Sequence, residues 1–142
     1  MANPTYRYFV GKPLYAFGHG LSYTKFEYSD AAIAVSKIGA DETIKLTFRV
    51  KNTGNRDGDE MPQVYFRHVK SHVEQPKLAL CAFKRVSFEA GESASVSLDS
   101  PAKRLRYWDT TEKKYIVETG EYELLIGSAS DSTPLKATVP VK

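Results

Sequence analysis

The amino-acid sequence predicts an all-β fold, a sandwich of antiparallel strands, on three observations. Apolar and polar residues alternate with a period of two in several short runs, which is the pattern of strands buried on one face. Turn-forming residues separate these runs at intervals of about 8–12 residues, the spacing that is typical of sandwiches. No window between residues 26 and 142 carries the periodicity of a helix of three turns.

The first half of the predicted sandwich contains three runs. In residues 44–51 the apolar members are Ile44, Leu46, Phe48 and Val50, and polar residues stand between them. A dense turn signal follows at residues 52–58. The second run, residues 63–69, is rich in β-branched and aromatic residues, and the third, residues 80–88, ends at a turn over residues 89–92.

The second half continues the same pattern to the end of the chain. Its predicted strands lie, in order, at residues 94–98, 105–108, 115–117, 122–126 and 138–141. Because proline cannot donate a hydrogen bond to a neighbouring strand, Pro140 places the last of these at the edge of a sheet.

The N-terminal segment differs from the rest of the chain because aromatic residues concentrate there. Six of the 17 Phe, Trp and Tyr residues fall between positions 6 and 23, with three glycines and a proline that suit neither a long helix nor a long strand. We therefore divide the chain into an irregular extension, residues 1–24, and a sandwich, residues 25–142. Six large rings bury about 900–1,500 Å², more apolar surface than soluble monomers expose, so the extension must pack on the sandwich, on a partner domain or on another copy of the chain. The predicted docking residues are Tyr6, Tyr8, Phe9, Tyr15, Phe17, His19 and Tyr23.

The composition excludes several classes of function. Twenty basic and 17 acidic residues leave a net charge of +3, without the dense basic stripe of a nucleic-acid-binding protein. The apolar runs are too short to span a membrane, and the first residues show no basic-then-apolar signal peptide. We therefore expect neither nucleic acid nor a membrane as a partner. The single cysteine, Cys81, allows no intrachain disulfide, and its apolar run predicts a buried, unreactive thiol.

Three patterns resemble ligand-binding motifs but lack residues that those motifs need. Gly18-His19-Gly20 has no third glycine for a dinucleotide fingerprint, so it predicts tight turns. Asn55, Asp57 and Asp59 have the spacing of a calcium loop, but the glycine and glutamate that an EF-hand requires are absent. A polar turn is the ordinary interpretation, and a loose calcium site of another kind is the alternative. His68 and His72 fall in a strand end and a loop rather than on one helix face, so we expect solvated histidines.

Glycosidase chemistry needs two separated carboxyl groups in a cleft, whereas the acidic residues at 57, 59 and 60 share one turn. We therefore predict no catalytic residue, no metal and no cofactor.

Aromatic and basic residues interleave between positions 103 and 115. Lys103, Arg104 and Arg106 precede Tyr107 and Trp108, and Tyr115 follows. Aromatic planes stack on sugar rings or on bases, so Tyr107, Trp108 and Tyr115 are candidate residues for binding a polymer. A strand with an apolar inner face and a solvated basic outer face is the ordinary interpretation.

Several motifs occur in a fixed order along nearly the whole chain. They are YRYF at residues 6–9, PLYAFGHGLSYTKF at 13–26, VKNTG at 50–54, GDE at 58–60, QVY at 63–65, FKRV at 83–86, GES at 91–93, WD at 108–109, GEY at 120–122 and GSAS at 127–130. Together they resemble the C-terminal fibronectin type III-like domain of glycoside hydrolase family 3 enzymes, the β-glucosidases and β-xylosidases. Ala16, Ala82 and Ala129 depart from the residues usual at those positions, which bears on local turn geometry.

The resemblance implies an immunoglobulin-like sandwich of the fibronectin type III-like kind and a non-catalytic, stabilising role. In that family, other domains supply the aspartate nucleophile and the acid/base group for retaining hydrolysis of β-linked sugars, and the accessory domain packs on them. The resemblance also implies that a loop, here residues 69–77, reaches toward the active site in some members. It implies a periplasmic or secreted parent enzyme. The alternative function is an independent module that binds polysaccharide or lignin-like polymer through its exposed aromatic residues.

Overall fold

A computed structural model of the chain describes residues 11–34 and 37–142. The predicted docking residues Tyr6, Tyr8 and Phe9 lie outside the described residues. Eleven strands are present in the described part: β1 (Phe26–Ile33), β2 (Thr43–Asn52), β3 (Gly58–Glu60), β4 (Gln63–His68), β5 (Ala79–Phe83), β6 (Val86–Phe88), β7 (Ser93–Pro101), β8 (Tyr107–Asp109), β9 (Lys114–Ile116), β10 (Gly120–Gly127) and β11 (Leu135–Val141).

Two antiparallel sheets form the sandwich, and the predicted all-β fold is confirmed. One sheet has three strands in the order β1-β2-β7, and the other has four in the order β11-β10-β4-β5. Two short ribbons, β3 with β6 and β8 with β9, lie outside these sheets. Strand β11 forms the edge of the four-stranded sheet, and there the Pro140 carbonyl accepts a hydrogen bond from the Ile38 N–H.

The core lies between the inner faces of the two sheets. In β2 the predicted alternation is confirmed, because Ile44, Leu46, Phe48 and Val50 are all buried while Lys45, Arg49 and Lys51 are exposed. Cys81 is also buried, as expected, and desolvation raises the pKa of its thiol to about 11.

Tyr122 on β10 fixes one end of this core. Its side chain is fully buried, and its hydroxyl donates a 2.9 Å hydrogen bond to the Glu118 carbonyl oxygen four residues upstream. Such a tyrosine corner is a feature of immunoglobulin-like sandwiches, where it secures the connection that enters this strand. Tyr122 therefore buries its ring in the core while its hydroxyl group keeps a hydrogen-bond partner.

Two segments differ from the sequence expectation. Residues 26–33 form β1, which was not predicted because a bulge between Ser29 and Ala32 interrupts its alternation at Asp30, a residue with φ of 56°. Ala102–Leu105 forms a short 3₁₀ helix, so the basic residues Lys103 and Arg104 lie on a helical turn and not on a strand. Ala102 and Leu105 are both buried, which fits the three-residue period of this helix.

In the described part of the chain, no helix is long and apolar enough to cross a membrane.

Candidate docking site

Residues 11–24 of the extension form neither strand nor helix, and a tight turn shapes them. The His19 N–H donates a 3.0 Å hydrogen bond to the Ala16 carbonyl, which closes the turn. Gly18, the third of its four residues, has φ of 82°. This position requires a left-handed backbone in a type II turn, which glycine adopts without strain. The tight turn predicted at Gly18 is confirmed.

The turn is anchored on β4 of the four-stranded sheet. The Phe17 ring packs edge-on against Tyr65, with 6.5 Å between the ring centroids. The Phe17 carbonyl accepts a 2.9 Å hydrogen bond from the Ser130 N–H. A side chain at Gly18 would collide with Gln63, whose carboxamide lies 2.3 Å from the position of an added Cβ. The close approach of the Gln63 side chain to the backbone therefore requires glycine at position 18.

Buried polar groups of β4 support this first anchor, the contact between Phe17 and Tyr65. The Tyr65 hydroxyl donates to Gln63 Oε1, and Gln63 Nε2 donates a 2.8 Å hydrogen bond to the Ser128 carbonyl. Burial, with the charge of Asp131, raises the pKa of Tyr65 to about 12. Because both residues are almost fully buried and paired, they hold the Phe17 anchor in one position.

A second anchor fixes the end of the extension at Asn52. The Thr24 hydroxyl donates a 2.5 Å hydrogen bond to Asn52 Oδ1, which also accepts one from the Gly54 N–H. The amide nitrogen of Asn52 donates to the carbonyl oxygens of Arg56 and Glu89, at 2.7 and 3.1 Å. The fully buried Asn52 thus joins the extension to two turns, and all its side-chain donors are used.

Gly54 makes room for this second anchor. A Cβ added at Gly54 would lie 2.0 Å from the Thr24 hydroxyl oxygen. The absence of a side chain therefore lets the threonine reach Asn52 across the turn.

Between and beside these anchors, large apolar side chains project into solvent. The exposed fractions are 90% for Leu14, 69% for Tyr15, 60% for Phe17, 96% for Leu21 and 92% for Tyr23. His19 is exposed too, and its ring lies 5.2 Å from that of Tyr15. Four predicted docking residues, Tyr15, Phe17, His19 and Tyr23, thus lie on one short ribbon whose backbone is held at Phe17 and, directly after the ribbon, at Thr24. We call residues 14–23 the aromatic ribbon.

A small polar cavity of about 230 Å³ lies beside the ribbon. Ser22 and Thr24 line it with Tyr28 and Glu60 of the sandwich. The Tyr28 hydroxyl donates a 2.9 Å hydrogen bond to Glu60 Oε1. Burial raises the pKa of Glu60 above its usual range, although the hydrogen bonds from Tyr28 and from the Met61 N–H oppose that rise. Among the described residues, Glu60 is the only carboxylate that lines this cavity.

Glu118 organises the loop at residues 69–77. Its carboxylate accepts hydrogen bonds from Ser71 Oγ at 2.7 Å, from the His72 N–H at 2.8 Å and from Gln75 Nε2 at 2.9 Å. Burial acts to raise the pKa of Glu118, but the hydrogen bonds from the His72 N–H and from Ser71, together with the two nearby histidines, hold the pKa below its ordinary value. No local sequence signal marks Glu118, because its partners lie more than 40 positions away.

The side chain of His68 is buried, contrary to the expectation of a solvated histidine. Only 3% of its side chain is exposed, and its ring packs edge-on against Tyr122 at 4.6 Å. Gly120 permits this packing, since a Cβ there would lie 2.7 Å from His68 Nε2. His72 is exposed as expected. Among residues 11–34 and 37–142, no group of three or more His, Cys, Asp or Glu side chains is placed to hold a metal ion.

The candidate polymer-binding residues lie together on the β8–β9 ribbon. Trp108 pairs with Tyr115 across the two strands, and their rings meet edge-on at 5.1 Å. The Arg106 guanidinium lies 4.6 Å from the centre of the Tyr115 ring. Trp108 is 51% exposed and Tyr115 58% exposed, whereas Tyr107 is half-buried and donates to Asp109.

Comparisons with known proteins agree with this architecture. The family model of the fibronectin type III-like domain matches residues 60–130, which is half of the chain. The chain is 40% identical over 139 residues to thermostable beta-glucosidase B of Acetivibrio thermocellus, covering 96% of this chain and 18% of the relative. It is 34% identical over 125 residues to the periplasmic beta-glucosidase of Salmonella typhimurium, covering 87% of this chain and 16% of that protein.

A solved structure gives the same correspondence. The GH3 beta-glucosidase of Bifidobacterium adolescentis superposes with a TM-score of 0.81 and 35% identity, over 89% of this chain and 18% of that one. The chain therefore spans less than a fifth of the length of each of these three proteins.

Proposed function

Because the chain belongs to the family of fibronectin type III-like domains, we propose that it is a non-catalytic accessory domain of a family 3 β-glycosidase that packs on and stabilises the catalytic domains. Residues 25–142 act as the sandwich, and residues 1–24 act as the docking segment. The proposal rests on the correspondence with less than a fifth of each β-glucosidase compared above.

The observation that carries the proposal is the aromatic ribbon. Its five large apolar side chains are each at least 60% exposed, yet the backbone that presents them is held at Phe17, which packs on Tyr65, and at Thr24, which bonds to Asn52. A flexible tail would lose conformational entropy when it became ordered on binding. The aromatic ribbon has already lost that entropy in the folded domain, so its binding costs less. Such a surface is suited to a permanent contact with another domain.

Two carboxylates of the sandwich, Asp59 and Glu123, are held in ion pairs, which supports a non-catalytic role. Asp59 is held by Arg85 and Ser87, and Glu123 by Arg67 and Lys136. Each is occupied in a structural contact, and the hydrogen bonds lower the pKa of both carboxyls. We assign the hydrolytic chemistry to the remainder of the parent enzyme. The Glu118-anchored loop is the part of this domain that extends toward that chemistry.

The proposal is tested with thermostable beta-glucosidase B as the partner. One form of that enzyme lacks the segment that this chain matches, and a hybrid carries residues 1–142 in its place. We expect the hybrid to retain activity after heating at a temperature that inactivates the truncated form. In a second hybrid, Tyr15→Asp and Tyr23→Asp place two charges on the ribbon, and the protection should be lost. A matched control, Thr43→Asp and Ser95→Asp, changes exposed positions of the three-stranded sheet and should leave it intact. Equal inactivation of the first hybrid and the truncated form would refute the proposal.

A second candidate function is binding of polysaccharide or lignin-like polymer through Trp108, Tyr107 and Tyr115. The half-exposed indole of Trp108 favours it, because an aromatic plane open to solvent can stack on a sugar or phenyl ring. The test compares retention of the chain and of its Trp108→Ala variant on cellulose, xylan and lignin. Weaker retention of the variant on one polymer would support this function, and equal retention would exclude it. Tyr23→Ala serves as the control for non-specific adsorption by an exposed aromatic residue.

We place the parent enzyme in the periplasm or outside the cell, as the periplasmic beta-glucosidase of Salmonella typhimurium suggests by its name. In the absence of the catalytic domains, we expect the isolated chain to associate with itself through the aromatic ribbon.

A further inference from the structure

The two sheets of the sandwich differ on their outer faces. On the three-stranded sheet, β2 presents Lys45, Arg49 and Lys51 to solvent, and β7 presents a row of serines and Asp99. This is the ordinary outer face of an antiparallel sheet, polar on the side away from the core.

The four-stranded sheet does not follow that pattern. Tyr65, Leu80, Phe83 and Leu125 alternate with residues of its inner face, and none of the four belongs to the core cluster between the sheets. Tyr65 is buried, and Phe17 packs edge-on against it from outside. Leu80 and Leu125 are half-buried, and Phe83 is 59% exposed.

A groove crosses this outer face beside the Glu118-anchored loop. Its volume is about 670 Å³, and its apolar lining consists of Val73, Pro76, Leu78 and Leu125. Arg67 and Lys77 also line it. Arg67 and Lys136 share the carboxylate of Glu123, and Glu121 is exposed two residues before it on the same strand.

We infer that the outer face of the four-stranded sheet, from Phe17 to the loop at residues 69–77, is the second half of the docking surface. This inference rests on the proposed function, and it names the side of the sandwich that faces the rest of the enzyme. Its occupant is a protruding segment of the remaining polypeptide that places apolar side chains in the groove. The aromatic ribbon is continuous with this face, because its Phe17 packs on Tyr65 there, and this continuity supports the choice of occupant. The length of the relative also supports this occupant, because more than four-fifths of beta-glucosidase B lies outside the segment that this chain matches.

The experiment measures how fast an introduced thiol is alkylated, in the isolated chain and in the hybrid with beta-glucosidase B. Phe83→Cys probes the proposed face, Tyr23→Cys probes the aromatic ribbon and Ser95→Cys probes the outer face of the three-stranded sheet. Leu125→Cys, at the centre of the proposed face, is a second probe should Phe83→Cys impair folding. Native Cys81 is buried and serves as the unreactive reference within the same molecule.

We expect alkylation at Phe83→Cys and Tyr23→Cys to slow by about tenfold or more in the hybrid, since a covered thiol reacts only after local opening. Alkylation at Ser95→Cys should not change. Protection at Tyr23→Cys without protection at Phe83→Cys or Leu125→Cys would overturn the inference and leave the proposed function standing. Protection at Ser95→Cys equal to that at Phe83→Cys would also overturn it. If no probe is protected, both the inference and the proposed function fail.

Discussion

Replacing Asn52 with aspartate is expected to destabilise the sandwich by about 3–5 kcal/mol. The substitution preserves the shape of the side chain and keeps Oδ1 as an acceptor for the Thr24 hydroxyl and the Gly54 N–H. It removes both donors, so the carbonyl oxygens of Arg56 and Glu89 would face a carboxylate. Two lost hydrogen bonds account for about 1–3 kcal/mol. The remainder comes from placing an unpaired charge in a fully buried position.

The assay is urea denaturation followed by far-ultraviolet circular dichroism at two pH values. Burial and the facing carbonyls raise the folded-state pKa of the introduced carboxyl above its unfolded value of about 3.9. Between these two pKa values the folded state binds the extra proton, so the penalty should shrink as the pH falls. Asn55→Asp, in the same turn but exposed, is the matched control and should change stability by less than about 0.5 kcal/mol. If the two variants are equally stable at pH 8, the assignment of Asn52 as the buried junction is wrong.

Three further substitutions test separate contacts. Gly54→Ala should lower the free energy of unfolding by about 1–3 kcal/mol, because the added methyl group collides with the Thr24 hydroxyl. The loss should be smaller when Thr24 is also replaced by alanine. If the losses from the two substitutions simply add, the collision is not the cause. Glu118→Gln should speed proteolysis within the loop at residues 69–77 at neutral pH. Because the folded-state pKa of Glu118 is lowered, its contribution exists above the unfolded pKa and fades as the pH falls through the folded value. The difference in unfolding free energy between wild type and variant should therefore be larger at pH 7 than near pH 3, and a constant difference would contradict this role. Tyr122→Phe should lose about 0.5–1.5 kcal/mol in denaturation experiments, the value of one hydrogen bond to the Glu118 carbonyl; no loss would mean that water replaces that bond freely.

Much of the sandwich is predictable from its sequence because burial on one face leaves a period of two. Strand β2 is the clearest case, since its four apolar residues are all buried and its three basic residues are all exposed. Strand β1 escapes prediction because its bulge changes the face on which successive residues lie. The 3₁₀ helix at residues 102–105 escapes because four residues are too few for a periodic signal.

The docking site is predictable only in part. Composition alone marks the aromatic ribbon, because so many rings in one short segment need a partner surface. The residues that hold the ribbon carry no such mark: Asn52 has the character of an ordinary turn residue, and its bond to Thr24 spans 28 positions. The burial of the His68 side chain escapes prediction for a related reason, since its ring occupies space that a side chain at Gly120, a residue distant in the sequence, would fill. Contacts of this kind arise from tertiary packing and leave no local pattern.

The outer face of the four-stranded sheet leaves a faint trace in the sequence. Val64, Tyr65 and Phe66 are three consecutive apolar residues, which is what a strand covered on both faces requires. The covering element, Phe17, lies 48 positions away from Tyr65, so only the structure identifies it.

The most direct test of the accessory role is a titration of the isolated chain into beta-glucosidase B that lacks its matching segment, followed by calorimetry. We expect saturable binding at one chain per enzyme molecule, and we expect Leu21→Asp combined with Tyr23→Asp to weaken it by at least about tenfold, since each aspartate would enter an apolar contact. Absence of binding by the unmodified chain, or equal affinity of the unmodified and charged forms, would contradict a role in which the aromatic ribbon joins this domain to a catalytic one.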